Sequence, residues 1–147
     1  MPVHRILFVC YGNICRSTMA QSVMEHLVRQ AGREDEFRID SAATSTASLG
    51  KPPHPGTKRV LARAGIPLVP HTARQVQAGE YDSWDLIIGM EEMNVRDLLA
   101  IFGGDPDGRV RTLLSRDIPD PWWTHDYESS FNDIIEGCTE LLRELQP

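Results

Sequence analysis

Near its N-terminus the chain reads FVCYGNICRST over residues 8–18, with a cysteine, Cys10, six positions before an arginine, Arg16. An apolar run, Ile6–Cys10, leads up to the cysteine, and a helical pattern opens at Arg16. The five residues between them, Tyr11, Gly12, Asn13, Ile14 and Cys15, must therefore curl into a closed loop. Gly12 and Asn13 are the residue types best able to take the left-handed conformations that such a curl needs. A loop of this kind turns successive backbone N–H groups inward, and the helix behind it adds the positive end of its dipole. The expected product is a cradle for a tetrahedral anion, with the Cys10 sulfur at its floor. The same field favours thiolate over thiol. Arg16 supplies a planar fork that holds two oxygens of a phosphate, which lysine cannot do bidentately. The Ser17 hydroxyl is placed to donate to the sulfur and to steady it as a leaving group. A free cysteine at a strand end is more often a packed core thiol. The Cys-x5-Arg-Ser spacing between a strand and a helix start is what sets Cys10 apart.

Thiolate attack on a phosphoester expels an alkoxide or phenoxide, and that leaving group calls for a proton donor. The candidate is Asp120 in IPDPWW, held between Pro119 and Pro121, which limit its backbone and so fix where its carboxyl points. An aspartate in a Pro-rich loop is commonly just a turn former. Here Trp122 and Trp123 follow at once, and two indoles on a loop must cover something. They either plug the core or wall a pocket for an aromatic substrate.

These groups need a scaffold that brings residues 10–17 and 120 together. Ile6–Cys10 reads as a strand covered on both faces. A helix follows from Arg16 to Ala31, stopped by Gly32. EFRIDSAA (36–43), WDLIIGM (84–90) and RVRTLL (109–114) read as further strands. Thr57–Ala64 reads as a short helix, and another places Val95, Leu98, Leu99 and Phe102 on one face. Residues 115–128 read as a loop by their prolines. In the last helix Phe131, Ile134, Ile135, Cys138, Leu141, Leu142 and Leu145 recur at helical spacing. Strands alternating with helices imply an α/β fold, a mostly parallel sheet with helices on both faces. In such sheets ligands bind beyond the carboxyl ends of the strands, where the Cys10 loop lies.

The size, 147 residues, suits one domain over 1–147. A net charge of −6 without a Lys/Arg stripe argues against nucleic-acid or membrane partners. The N-terminal apolar run is too short for a signal peptide or a spanning helix, so a cytoplasmic location is expected. Three cysteines form no disulfide framework, which directs attention to thiol chemistry. Cys15 lies five positions from Cys10 in one tight loop, where it either packs beneath the loop or forms a Cys10–Cys15 disulfide that shields the nucleophile from over-oxidation, the second being the expectation.

The segments VCYGNICRST and DPWW resemble the signature pair of the low-molecular-weight protein tyrosine phosphatases. DSAATS, HTARQV and DLIIGMEEMN extend the resemblance in order over nearly the whole chain. It implies a three-layer sandwich, with a four-stranded parallel sheet flanked by helices on both faces, and a mechanism without metal or cofactor. Position by position, it makes Cys10 the nucleophile, Arg16 the phosphate clamp and Asp120 the general acid. Tyr11, Gly12, Asn13, Ile14, Cys15, Arg16 and Ser17 become the phosphate-binding loop. Asn13 would hold the strained turn, Ser17 the thiolate, and Ser41 and His71 would brace the loop. Tyr11, Ile14, Trp122 and Trp123 would wall the pocket for a phosphotyrosine-containing protein or peptide.

Two features depart from the family: Trp122 and Trp123 stand where tyrosines usually follow Asp-Pro, and Thr46, Ala47 and Ser48 stand where an aromatic residue lies near the SAATS loop. The alternatives are an arginine phosphatase of the same family, whose members tend to threonine where this chain has Ile14, and a thioredoxin-coupled arsenate reductase. The reductase needs a resolving cysteine pair after the third strand, where none occurs. A sugar-transport phosphocarrier has no use for Arg16 and Asp120. A module that only binds phosphate has no need of Cys10, Arg16 and Asp120 together.

Overall fold

The computed structural model describes residues 3–147. Strands β1 (His4–Cys10), β2 (Phe37–Ala43), β3 (Leu86–Gly89) and β4 (Val110–Thr112) form one sheet in the order β2-β1-β3-β4. All three pairings are parallel, with Ile6 opposite both Ile39 and Leu86. The helices are α1 (Arg16–Gln30), α2 (Pro55–Arg63), α3 (Glu92–Phe102), α4 (Pro121–Thr124) and α5 (Tyr127–Glu144).

The continuous apolar run of β1 is explained by its central place, because Ile6, Leu7, Phe8 and Val9 are all fully buried. Alternation divides them between two cores. Ile6, Phe8 and Cys10 pack with Met19 and Val23 of α1 and Ile134 and Cys138 of α5. Leu7 and Val9 pack on the opposite face with Trp84, Ile87 and Leu98 of α3. The result is the expected three-layer arrangement, in which each fully buried Leu, Ile or Phe contributes about 1.5–3 kcal/mol. The chain moves outward from β1 to β2 on one side, then crosses to β3 and β4 on the other. This reversal opens a crevice at the carboxyl end of β1, and the Cys10 loop occupies it.

Several boundaries differ from the sequence expectation. Helix α2 begins at Pro55, ahead of Thr57, because His54 Nδ1 accepts from Gly56 N at 3.0 Å and proline suits the first turn. On α3, Leu99 is 36 % exposed, while Asn94 and Leu98 face inward. The supposed loop after β4 contains helix α4, a single turn that Asp120 opens and His125, at φ 60°, closes. The fourth strand is three residues long, shorter than RVRTLL suggests. No helix among the described residues is long and apolar enough to cross a membrane.

Candidate active site

The loop between β1 and α1 turns at Asn13, whose φ of 60° makes it a left-handed residue that is fully buried. Gly12, expected to share that conformation, keeps a negative φ. A Cβ there would meet Ser48 Oγ at an ordinary 3.5 Å, so Asn13 alone makes the left-handed turn. The curl aims donors at Cys10, with Asn13 N 3.3 Å and Ser17 Oγ 3.0 Å from its sulfur. The backbone N–H groups of Gly12, Ile14, Cys15, Arg16 and Ser17 find no protein acceptor among the described residues. Arg16 is 2 % exposed, and its Nε is likewise unpartnered. Buried donors without acceptors are uncommon in proteins. Here they belong to the loop that lines one pocket with Cys10, an arrangement suited to a multiply charged oxyanion.

Beneath the loop the Asn13 amide uses its full hydrogen-bonding capacity. Its Oδ1 accepts from Arg74 N at 3.3 Å, and because a backbone N–H only donates, this contact fixes the amide's orientation. Nδ2 then donates to Ser17 Oγ at 2.7 Å and to Ser41 Oγ at 3.0 Å. With its lone pair engaged by Asn13, the Ser17 hydroxyl has its proton free for the Cys10 sulfur. Ser41 Oγ donates its own hydrogen bond to Gln21 Oε1 at 2.6 Å. His71 Nε2 lies 2.7 Å from Asn13 Oδ1, which places the ring's proton on Nε2. Burial lowers the His71 pKa, which Asp40 opposes and Arg74 reinforces, so the imidazole is neutral at pH 7. Ser41 and His71 thus both hydrogen-bond to Asn13, and Gln21 and Arg74, which the sequence reading had not assigned, join the same network.

The Arg16 guanidinium is fixed from behind. Nη1 donates to Glu91 Oε2 at 2.5 Å and to the Ile118 carbonyl at 2.8 Å, and Nη2 lies 3.4 Å from Asp120 Oδ2. Burial works against its charge, but Cys10, Glu91 and Asp120 outweigh that cost and raise its pKa above the ordinary value. Glu91 was missed at the sequence level. It lies in the DLIIGMEEMN stretch, where it also opens α3 in a reciprocal cap with Asn94. Gly89 lets that helix start come close, since a Cβ there would sit 2.8 Å from Asn94 Cβ.

Cys10, Arg16 and Asp120 line one pocket of about 220 Å³. Asp120 Oδ1 accepts from Trp122 N at 3.0 Å, which holds the carboxyl at the pocket's side. Tyr11, Ile14, Trp122 and Trp123 form its walls. Trp122 and Trp123 are 52 % and 77 % exposed, so they stand at the mouth and do not plug the core. Ala47 and Ser48 leave the facing wall low. Cys15 also lines the pocket, its sulfur 3.8 Å from the Tyr127 hydroxyl. Burial chiefly pushes the Cys15 thiol up to about 12, so it stays protonated near neutrality. Cys138 is fully buried in the core. Among the described residues, no group of three or more His, Cys, Asp or Glu is placed to hold a metal ion.

This geometry can be set beside known proteins. The chain is 36 % identical to the low molecular weight protein-tyrosine-phosphatase YfkJ of Bacillus subtilis, over 96 % of this chain and 95 % of that protein. It is 35 % identical to the low molecular weight phosphotyrosine protein phosphatase of Gallus gallus, covering 97 % and 96 % of the two. The crystal structure of YfkJ superposes with a TM-score of 0.95 over 99 % of this chain and 96 % of that one, at 35 % identity. That of DARP, described as drosophila arginine phosphatase, gives 0.86 at 26 % identity over 97 % and 98 %. The family profile described as low molecular weight phosphotyrosine protein phosphatase matches residues 5–147, from β1 through the last helix. A match of that extent makes the chain a member of the low molecular weight phosphotyrosine protein phosphatase family.

Proposed function

We propose that this chain is a protein tyrosine phosphatase that hydrolyses phosphotyrosine monoesters through a phosphocysteine. The observation that carries the reading is the Cys10 sulfur, hydrogen-bonded by Ser17 and Asn13, in one pocket with Arg16, whose Nε is unpartnered, and Asp120. The Cys10 thiolate attacks phosphorus while the loop N–H groups and Arg16 hold the equatorial oxygens. The P–O bond to the phenol breaks, and the phenolate takes the proton of Asp120. Water then attacks the phosphocysteine, giving its proton to Asp120, and the sulfur leaves as a thiolate steadied by Ser17. Inorganic phosphate departs and the enzyme is restored.

Pocket shape supports phosphotyrosine over shorter phosphoesters. Cys10 is buried while Tyr11, Trp122 and Trp123 of the same pocket are half or more exposed, an arrangement that favours a phosphate carried at the end of a phenyl ring. Stacking on these rings adds about 0.5–1.5 kcal/mol beyond area burial. The arginine phosphatase reading draws support from the likeness to DARP. Ile14 argues the other way, because it lines the pocket with an apolar side chain that offers a guanidinium no hydrogen bond. Competing hydrolysis of phosphotyrosine and phosphoarginine peptides tests the choice. The expected preference for phosphotyrosine is at least about tenfold in kcat/KM, roughly 1.4 kcal/mol, narrowed in Ile14→Thr. A wild-type preference for phosphoarginine would overturn the assignment.

A further inference from the structure

Between Asp40 and Glu80 the chain contains no aspartate or glutamate, yet it carries Lys51, Lys58, Arg59, Arg63 and Arg74, including both of its lysines. In a chain of net charge −6, positive charge is thus gathered into one segment. Two of these cations are answered elsewhere, Arg74 by Asp40 and Glu80 and Arg63 by Glu128 at 3.7 Å. Lys51, Lys58 and Arg59 form no ion pair among the described residues.

Of these, Lys51 and Arg59 lie at the site and the groove beside it. Lys51 lies on the low wall of the catalytic pocket, beside Ala47 and Ser48. Arg59 and Arg63, one turn apart on α2, line a second groove with His125. A shared partition of rings joins groove to pocket. Tyr127 lines the groove, the His54 ring stacks on it at 5.2 Å, and His54 meets Trp122 of the pocket edge-on at 6.0 Å. Asp126 and Glu128 also face the groove, but Asp126 is engaged by Ser129 N and Oγ and Glu128 by Arg63. Ser129 is neutral and leaves Asp126 its charge, so the groups here without an ion-pair partner, Lys51, Arg59 and Asp126, sum to one positive charge.

We infer that this face selects phosphoprotein substrates with acidic residues flanking the phosphorylated side chain, one flank reaching Lys51 and the other running past Trp122 to Arg59. The inference rests on the phosphatase reading above and adds the class of sequence it favours. Charge complementarity and length argue for a peptide. The patch is a few residues wide on an otherwise acidic protein, so an acidic segment of several residues gains its attraction without meeting the repulsion an extended polyanion would.

The test uses phosphotyrosine peptides of equal length flanked by Glu, Ala or Lys, with p-nitrophenyl phosphate as a flankless control. Two exposed ion pairs should favour the Glu over the Ala peptide by about fivefold in kcat/KM at low salt, and most of that gain should vanish at about 0.5 M salt. Arg59→Glu should erase the gain from one flank while leaving p-nitrophenyl phosphate turnover unchanged, and Lys51→Glu should erase the other. Anisotropy of the same labelled peptides on Cys10→Ser reads docking without turnover. A wild type inactive on p-nitrophenyl phosphate would sink the phosphatase reading, while the anisotropy ratio would still decide the docking surface. Equal rates and affinities for the three peptides would overturn the inference, as would a preference indifferent to salt and to Arg59→Glu. So would a result in which Arg59→Glu releases the protein from phosphatidylserine vesicles but leaves the peptide ratio unchanged.

Discussion

Replacing Asp120 with asparagine separates proton donation from architecture. Oδ1 accepts from Trp122 N and caps α4, and an amide oxygen makes that bond equally well. The atom that becomes a nitrogen is Oδ2, 3.4 Å from Arg16 Nη2. A donor then faces a donor where an ion pair stood. With the Asp120 side chain 23 % exposed, that exchange costs about 1 kcal/mol of stability. Phosphate affinity should hold, since the lost carboxylate no longer opposes an arriving dianion. The rate should not hold. Loss of a general acid slows a reaction by roughly 10²–10⁴-fold, about 2.7–5.5 kcal/mol of barrier. The readout must be kcat/KM, which reports the chemistry up to the phosphocysteine, because kcat also carries its hydrolysis, where Asp120 takes a proton back. Phenyl phosphate should lose at least about 10²-fold and 2,4-dinitrophenyl phosphate, whose leaving group needs no proton, less than about tenfold. An equal loss on both substrates would refute the role of Asp120 as acid and leave it a structural cap.

Asn13→Ala leaves the His71 Nε2–H and Arg74 N–H without their acceptor and puts a Cβ-bearing residue without a polar side chain at φ 60°. Urea unfolding should show a loss of about 2–5 kcal/mol, of which Asn13→Gly recovers about 1 by relieving the backbone. Wild-type stability in the alanine variant would refute the brace. After mild hydrogen peroxide, the Cys10 sulfenic acid should condense with the Cys15 thiol, releasing water and forming a disulfide. Activity should then return with dithiothreitol in wild type and much less in Cys15→Ser, and equal recovery in both would remove the idea.

What the sequence made legible was what lies close along the chain. Cys10, Asn13, Arg16 and Ser17 span a single strand-loop-helix joint, so their spacing alone implies a shared centre. The parallel sheet follows from apolar runs alternating with helical periodicity. Ser41 and His71 were assigned through the resemblance, since nothing local announces which loops meet at a sheet edge, whereas the prolines and indoles around Asp120 singled it out. Glu91 escaped because its partner Arg16 is 75 positions away, and a carboxylate beside a helix start already has a sufficient local explanation as a cap. Gln21 looks like an ordinary polar position on α1 until Ser41 is seen against it. Helix α4 is one turn, too short for any periodicity, and only its two ends mark it. Leu99 fits the apolar spacing of α3, but the helix turns Asn94 inward instead, to cap its own start at Met90 N and Glu91 N.

The claim on which the account stands is that phosphate passes through the Cys10 sulfur. Acid-quenched turnover of a labelled aryl phosphate, followed by peptide mapping under conditions that preserve the thiophosphate bond, tests it most directly. The account predicts transient phosphate on the peptide containing Cys10, and in Cys10→Ser no turnover although phosphate still binds. Label on any other residue, or substantial hydrolysis by Cys10→Ser, would contradict it.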